Sequence, residues 1–93
     1  IVGVSLHAEG RKERVVIKAF FPAASYIETK PIHPSQRILE RGDGYILFQL
    51  DVIPNYELET QLIAYADQAE IIEPIGIRVT INERAKRIIE HNP

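Results

Sequence analysis

The stretch Ile32 to Val52, I-H-P-S-Q-R-I-L-E-R-G-D-G-Y-I-L-F-Q-L-D-V, decides the fold of this chain. Two strand-like runs flank Gly42-Asp43-Gly44, and Asp-Gly between alternating apolar residues is a strong hairpin signal. In the second run Ile46, Phe48, Leu50 and Val52 fall on one face, and Tyr45, Leu47, Gln49 and Asp51 on the other. That period of two belongs to a half-buried strand. The first run, Ser35 to Arg41, is far more polar and suits a sheet edge, where charge discourages pairing with other chains.

Working backwards, Arg14 to Phe20 (R-V-V-I-K-A-F) is β-branched with apolar residues on both faces, which predicts a central strand. Pro22 suits the first turn of a short helix that turns Ala23, Ala24, Tyr26 and Ile27 inward and ends before Pro31. Working forwards, Asn55 is a candidate helix cap, with Glu57 and Glu59 in the favourable first turn. Leu58, Leu62 and Tyr65 form the apolar stripe of that helix, with Ile63 and Ala66 beside it. Ala69 to Glu73 reads as a strand stopped by Pro74. A last helix is predicted from about Ile75 to Glu90, with Ile77, Ile81, Ala85 and Ile88 as its apolar face. The order strand–helix–strand–strand–helix–strand, closed with right-handed crossovers, predicts an α+β fold. Specifically, it predicts a ferredoxin-like β-α-β-β-α-β sandwich with an additional C-terminal helix, its first and third strands central.

Composition sets the outer limits. Ninety-three residues, 45% hydrophobic and 26% charged, predict one globular domain, over 13–93, preceded by a connector over 1–12. Val2, Val4 and Leu6 alternate in that connector, and His7 reads as a loop residue. The absence of methionine and the start at Ile1 suggest a piece of a longer protein. No run is long enough to span a membrane. With no cysteine, disulfides and thiolate metal sites are excluded and a cytoplasmic setting fits. A net charge of −2 offers duplex DNA no global attraction.

The chemistry-bearing residues do not assemble into a catalytic pattern. His7, His33 and His91 are widely spaced, so no metal site or cofactor is expected. Ser25 and Ser35 lie in no nucleophile motif, and Gly42-Asp43-Gly44 sits in a hairpin rather than before a helix. Neither Lys18 nor Gln49 is aromatic, as a base-stacking sheet would require. An enzyme is not expected. The informative feature is His33-Pro34-Ser35-Gln36-Arg37. These polar residues at a strand start serve backbone bonding on the plainer reading, which is favoured for His33. On the other reading, Gln36 and Arg37 project from opposite faces of an edge strand beside a basic terminal helix. Arg37 and Arg41 then share a face that meets a phosphate or an acidic partner.

H-P-S-Q-R (33–37), Asp43-Gly44, Glu57-Leu58, E-I-I-E-P (70–74) and Arg78 together resemble the WCX domain, the C-terminal extension of bacterial WYL-domain transcriptional regulators. The similarity runs from about Val15 to the end of the last helix, and Ile1–Leu6, with Gly3, resembles the connector leaving a WYL domain. The resemblance implies a ferredoxin-like sandwich that packs on the WYL domain of the same or the partner protomer and helps to form its effector site. It further implies a homodimer in the full-length protein, DNA binding through a separate domain, and a single-stranded nucleic acid as one possible class of effector. His33, Ser35, Gln36, Arg37, Arg41 and Arg78 are the candidate ligand- or partner-binding residues. The family often has Gly after the second helix where this chain has Ala66, so that helix is expected to end without a left-handed cap. Two other functions are compatible with the pattern: a small-molecule-sensing domain with a ligand at a dimer edge, and a purely structural dimerisation module.

Overall fold

A computed structural model describes residues 11–93. The expected connector, with Val2, Val4, Leu6 and His7, lies outside the described residues except for its last two. The elements are β1 (Glu13–Phe20), α1 (Ala23–Thr29), β2 (Arg37–Gly42), β3 (Tyr45–Val52), α2 (Tyr56–Ile63), β4 (Ala69–Glu73) and α3 (Ile75–His91), with a 3₁₀ turn at Ala66–Gln68. They build a small α+β domain in which one four-stranded sheet has the order β2-β3-β1-β4. Every neighbouring pair is antiparallel. The first and third strands are central and the polar second strand is an edge, in agreement with their compositions.

Alternation in β1 and β3 aims Val15, Ile17, Ala19, Ile46, Phe48, Leu50 and Val52 at one face, where all are buried. The helices cover that face in two halves. Leu58 and Leu62 of α2 and Ile77 and Ile81 of α3 pack with Val15, Ile17, Leu50, Val52 and Ile71. Ala24 and Ile27 of α1 pack with Ala19, Ile46 and Phe48, with Ile32 and Ala69 touching both halves. Alanines at 19, 23 and 24 let α1 lie close to the sheet. Full burial of a side chain such as Phe48 or Ile77 stabilises the domain by roughly 1.5–3 kcal/mol.

Local signals in the sequence account for most element ends. Asn55 Oδ1 accepts the Leu58 N–H at 2.8 Å, capping α2 as its side chain predicts. No side chain next to α1 caps it. Instead the Ala23 N–H donates to Gln68 Oε1 at 3.1 Å, tying the helix start to the 3₁₀ turn. The hairpin pairs Gly42 with Tyr45 around Asp43-Gly44, and Gly44 takes φ +84°, where a Cβ would be strained.

All three helices depart from the pattern in part. Tyr26 of α1, expected to turn inward, is exposed, because Ala23, Ala24 and Ile27 alone fill the buried side of this seven-residue helix. The apolar stripe of α2 was expected to run on to Tyr65, but the helix ends at Ile63 and a 3₁₀ turn follows. No non-glycine residue has positive φ among the described residues, so Ala66 is never asked to form a left-handed cap. On α3 the expected apolar face is only half used: Ile77 and Ile81 are buried, whereas Ala85 and Ile88 are exposed.

Candidate functional site

The H-P-S-Q residues lie in the turn before β2 rather than in the strand, which starts at Arg37. Gln36 therefore does not project from a strand face. Its Oε1 accepts the Ile32 N–H and its Nε2 donates to the Ile27 C=O, both at 2.9 Å, so one amide joins the end of α1 to the turn. Ser35 does similar work towards β3. Its Oγ accepts the Asp51 N–H at 2.9 Å and lies 3.1 Å from the Asp51 C=O. His33 Nδ1 accepts the Ser35 N–H at 3.0 Å and sits 2.8 Å from Ser35 Oγ. Because Nδ1 is an acceptor, the neutral ring carries its proton on Nε2. The hydroxyl has one proton to give, to His33 Nδ1 or to the Asp51 C=O. These contacts bear out the plainer reading of His33, Ser35 and Gln36 as groups that satisfy the backbone of a tight turn.

The two arginines of β2 do not share a face. The ladder pairs Arg37 with Gln49 and Ile38 with Phe48. It then slips, so that Glu40 meets Leu47 and Arg41 meets Ile46. The extra residue, Leu39, is a bulge, and it inverts the alternation beyond it. Arg37 accordingly lies with Gln49 on the face away from the helices, and Arg41 lies on the helix side. There Arg41 Nη1 donates to Glu28 Oε1 at 3.2 Å, and Nη2 donates to Glu28 Oε2. The hydrogen bond and the charge of Arg41 hold the Glu28 carboxyl below its ordinary value, and Glu28 raises Arg41 in turn.

The terminal helix is not beside this strand. α3 packs against β4 and α2, and β4 is the opposite edge of the sheet from β2. At about 4.8 Å per strand those edges are roughly 14 Å apart. Arg78, exposed on α3, thus cannot form one binding surface with Arg37 and Arg41 through the sheet edge.

What the fold does bring together at His33 is an open cleft of about 410 Å³. Ile32 and His33 from the turn, Asp51, Val52 and Ile53 at the end of β3, and Asn55, Glu57, Leu58 and Gln61 of α2 and its cap surround it, with Lys12 at its side. Its floor is apolar and its rim offers neutral hydrogen-bonding groups, one cation and acidic residues. Such a lining suits a small polar ligand or a partner's side chain better than a bare anion. Lys12, Asn55, Glu57 and Gln61 were not among the sequence candidates, because only folding sets α2 beside the turn. No group of three His, Asp or Glu residues able to hold a metal occurs among the described residues.

The face of the sheet away from the helices carries a second polar set. Arg14 Nε donates to Oε1 of Gln49 at 3.0 Å, and the Gln49 amide reaches the Asp51 carboxylate at 3.3–3.4 Å, which explains how Gln49 is buried to 5% exposure. Nearby, Lys18 Nζ lies 4.5 Å from the Tyr45 ring centroid and 5.7 Å from that of Phe20. The Tyr45 hydroxyl donates to Glu40, which raises the phenol above its ordinary value. The cross-strand placing of Lys18 against these two rings was not legible in the sequence.

Compared with known proteins, no curated protein matches the chain. The model of the WCX domain matches residues 11–89, which span the whole sheet and all but the end of α3. On that match, with the hairpin, the H-P-S-Q turn and the terminal helix in place, the chain belongs to the WCX domain family.

Proposed function

We propose that this WCX domain is the C-terminal regulatory and dimerisation domain of a WYL-type transcriptional regulator in the bacterial cytoplasm. In this reading it packs on the WYL domain of its own or the partner protomer, helps to form the effector response site, and catalyses nothing. The match to the WCX domain over residues 11–89 carries the reading. The strand order β2-β3-β1-β4, with α1 and α2 on one face, supports the ferredoxin-like description. The cleft beside His33 opens next to Lys12, where the chain enters β1, so an upstream domain would stand close to it. No helix among the described residues is long and apolar enough to cross a membrane. DNA reading belongs to another domain of the regulator, and a single-stranded nucleic acid remains one effector class that Arg37 could meet.

The test uses the full-length regulator. Arg37→Ala is expected to weaken the effector response while leaving the fold intact, because Arg37 is exposed. Arg41→Ala should do less, since Glu28 already occupies its guanidinium. A full-length chain with no WYL domain upstream would overturn the reading. Unchanged response and unchanged dimerisation in both variants would remove β2 from the site.

The cleft itself favours a second reading, a small-molecule-sensing domain. A thermal-shift screen of the chain against metabolites separates the two: a saturable hit lost in His33→Ala and Gln61→Ala, without nucleic acid, favours the sensor.

A further inference from the structure

The apolar stripe of α3 is longer than the core beneath it. Ile77 and Ile81 are 0% and 6% exposed, but Ile88 and Ile89 are 50% and 66% exposed. Positions 77, 81, 85 and 88 recur at helical spacing, so Ala85 and Ile88 continue the same face. At 1.5 Å per residue, the segment 82–91 runs roughly 15 Å past the last buried side chain. A helical stretch of that length is marginal in water without cover.

The neighbouring groups say what kind of cover fits. Arg84 stacks its guanidinium 4.3 Å from the centroid of the Tyr56 ring. It also donates to Tyr56 Oη at 3.2 Å and Thr60 Oγ1 at 3.1 Å. Tyr56 is 72% exposed, so the overhanging stripe gains an aromatic wall. At 100° per residue Arg84 flanks Ile88 on one side, and Lys86 flanks Ile89 on the other. Glu83 and Glu90 lie on the far side of the helix. Along α3 the patch is therefore apolar at its centre, with Arg84 and Lys86 as the flanking charges of that helix.

We propose that Tyr56, Ala85, Ile88 and Ile89 form a docking surface for a partner protein whose matching surface is apolar at its centre and acidic at its rim. Charge complementarity selects that partner. The inference rests on α3 and Tyr56 alone and does not need the WYL reading.

The test uses two synthetic amphipathic helical peptides with the same leucine stripe, one flanked by glutamates and one by lysines. Binding of each to the chain is followed by fluorescence anisotropy. The glutamate-flanked peptide is expected to bind saturably, at least tenfold more tightly than the lysine-flanked one and more weakly as salt rises. Ile88→Asp and Ile89→Asp should each weaken it at least tenfold, with unchanged circular dichroism and melting because both residues are exposed. Equal binding of the two peptides, no saturable binding, or binding indifferent to both variants would overturn the proposal. A concentration-dependent dimer in sedimentation that Ile88→Asp abolishes would assign the patch to a second copy and overturn it equally.

Discussion

Ser35 stands opposite Asp51 in the same register that pairs Arg37 with Gln49, and its hydroxyl takes the place of a strand's backbone groups. Oγ accepts the Asp51 N–H at 2.9 Å and faces the Asp51 C=O at 3.1 Å. The side chain thus extends the β2–β3 ladder ahead of the first residue of β2 and fixes the turn to the central strand. Ser35→Ala leaves a part-buried N–H without its acceptor and should cost about 1–3 kcal/mol, read as a lower urea midpoint at unchanged slope. Ser35→Thr keeps the hydroxyl and should cost less. A Ser35→Ala protein as stable as the parent would disprove the ladder role.

Gln36 offers a graded test. Gln36→Ala removes both the acceptor for the Ile32 N–H and the donor to the Ile27 C=O, whereas Gln36→Glu keeps an acceptor. The alanine variant should lose about 1–2 kcal/mol and the glutamate variant should retain protection of the Ile32 amide. Hydrogen exchange at that amide distinguishes the two.

Gly42 faces its cross-strand partner so closely that a Cβ would lie 2.0 Å from Tyr45 Cζ. Gly42→Ala is expected to push the ring away from Lys18 and Glu40 rather than to unfold the sheet, because Tyr45 is only half-buried. The tyrosine's phenol should then titrate closer to its ordinary 10.0, as ultraviolet absorbance would record. A Tyr45 titration unchanged from the parent would mean that the ring keeps its place.

Along α3, burial and not hydrophobicity should set the cost of truncation. Ile77→Ala removes a fully buried side chain and should cost about 2–5 kcal/mol. Ile89→Ala, on an exposed position, should stay within about 0.5 kcal/mol in the isolated chain. Two similar losses in chemical denaturation would show that the overhang is packed in solution.

The Glu28–Arg41 pair predicts a small acid sensitivity with a definite sign. Glu28 is held below its ordinary 4.5 in the folded chain, so the folded state favours the ionised carboxylate. That contribution is complete above 4.5 and disappears as pH falls through the lower folded value. Carbon-13 titration should show Glu28 moving up towards 4.5 in Arg41→Ala, and high salt should shrink the difference because the pair is exposed. A Glu28 titration identical in the two proteins would rule the pair out in solution.

Much of the element map was legible because it depends on nearest neighbours in the chain. The alternation from Ile46 to Val52, the β-branched run at Val15–Ile17 and the Asn55 cap each specify local geometry through side chains two to four residues apart. The WCX resemblance was legible too, through H-P-S-Q-R and E-I-I-E-P in order. The site was less so. A polar residue near a strand start carries the same signal whether it meets solvent, a ligand or its own backbone. Ser35 and Gln36 turned out to be held by Asp51, Ile27 and Ile32.

The sequence by itself determined the α+β class, the central places of β1 and β3, the Asp43-Gly44 turn and the family. Each is encoded by periodicity, turn chemistry or motif order along the chain. Tertiary structure alone decided which residues share a surface. One bulge residue, Leu39, puts Arg37 and Arg41 on opposite faces, and the strand order carries Arg78 to the other edge. The core ends at Ile81 although the apolar stripe of α3 does not. Register and the reach of a core depend on contacts between segments distant in the chain, and no local pattern encodes them.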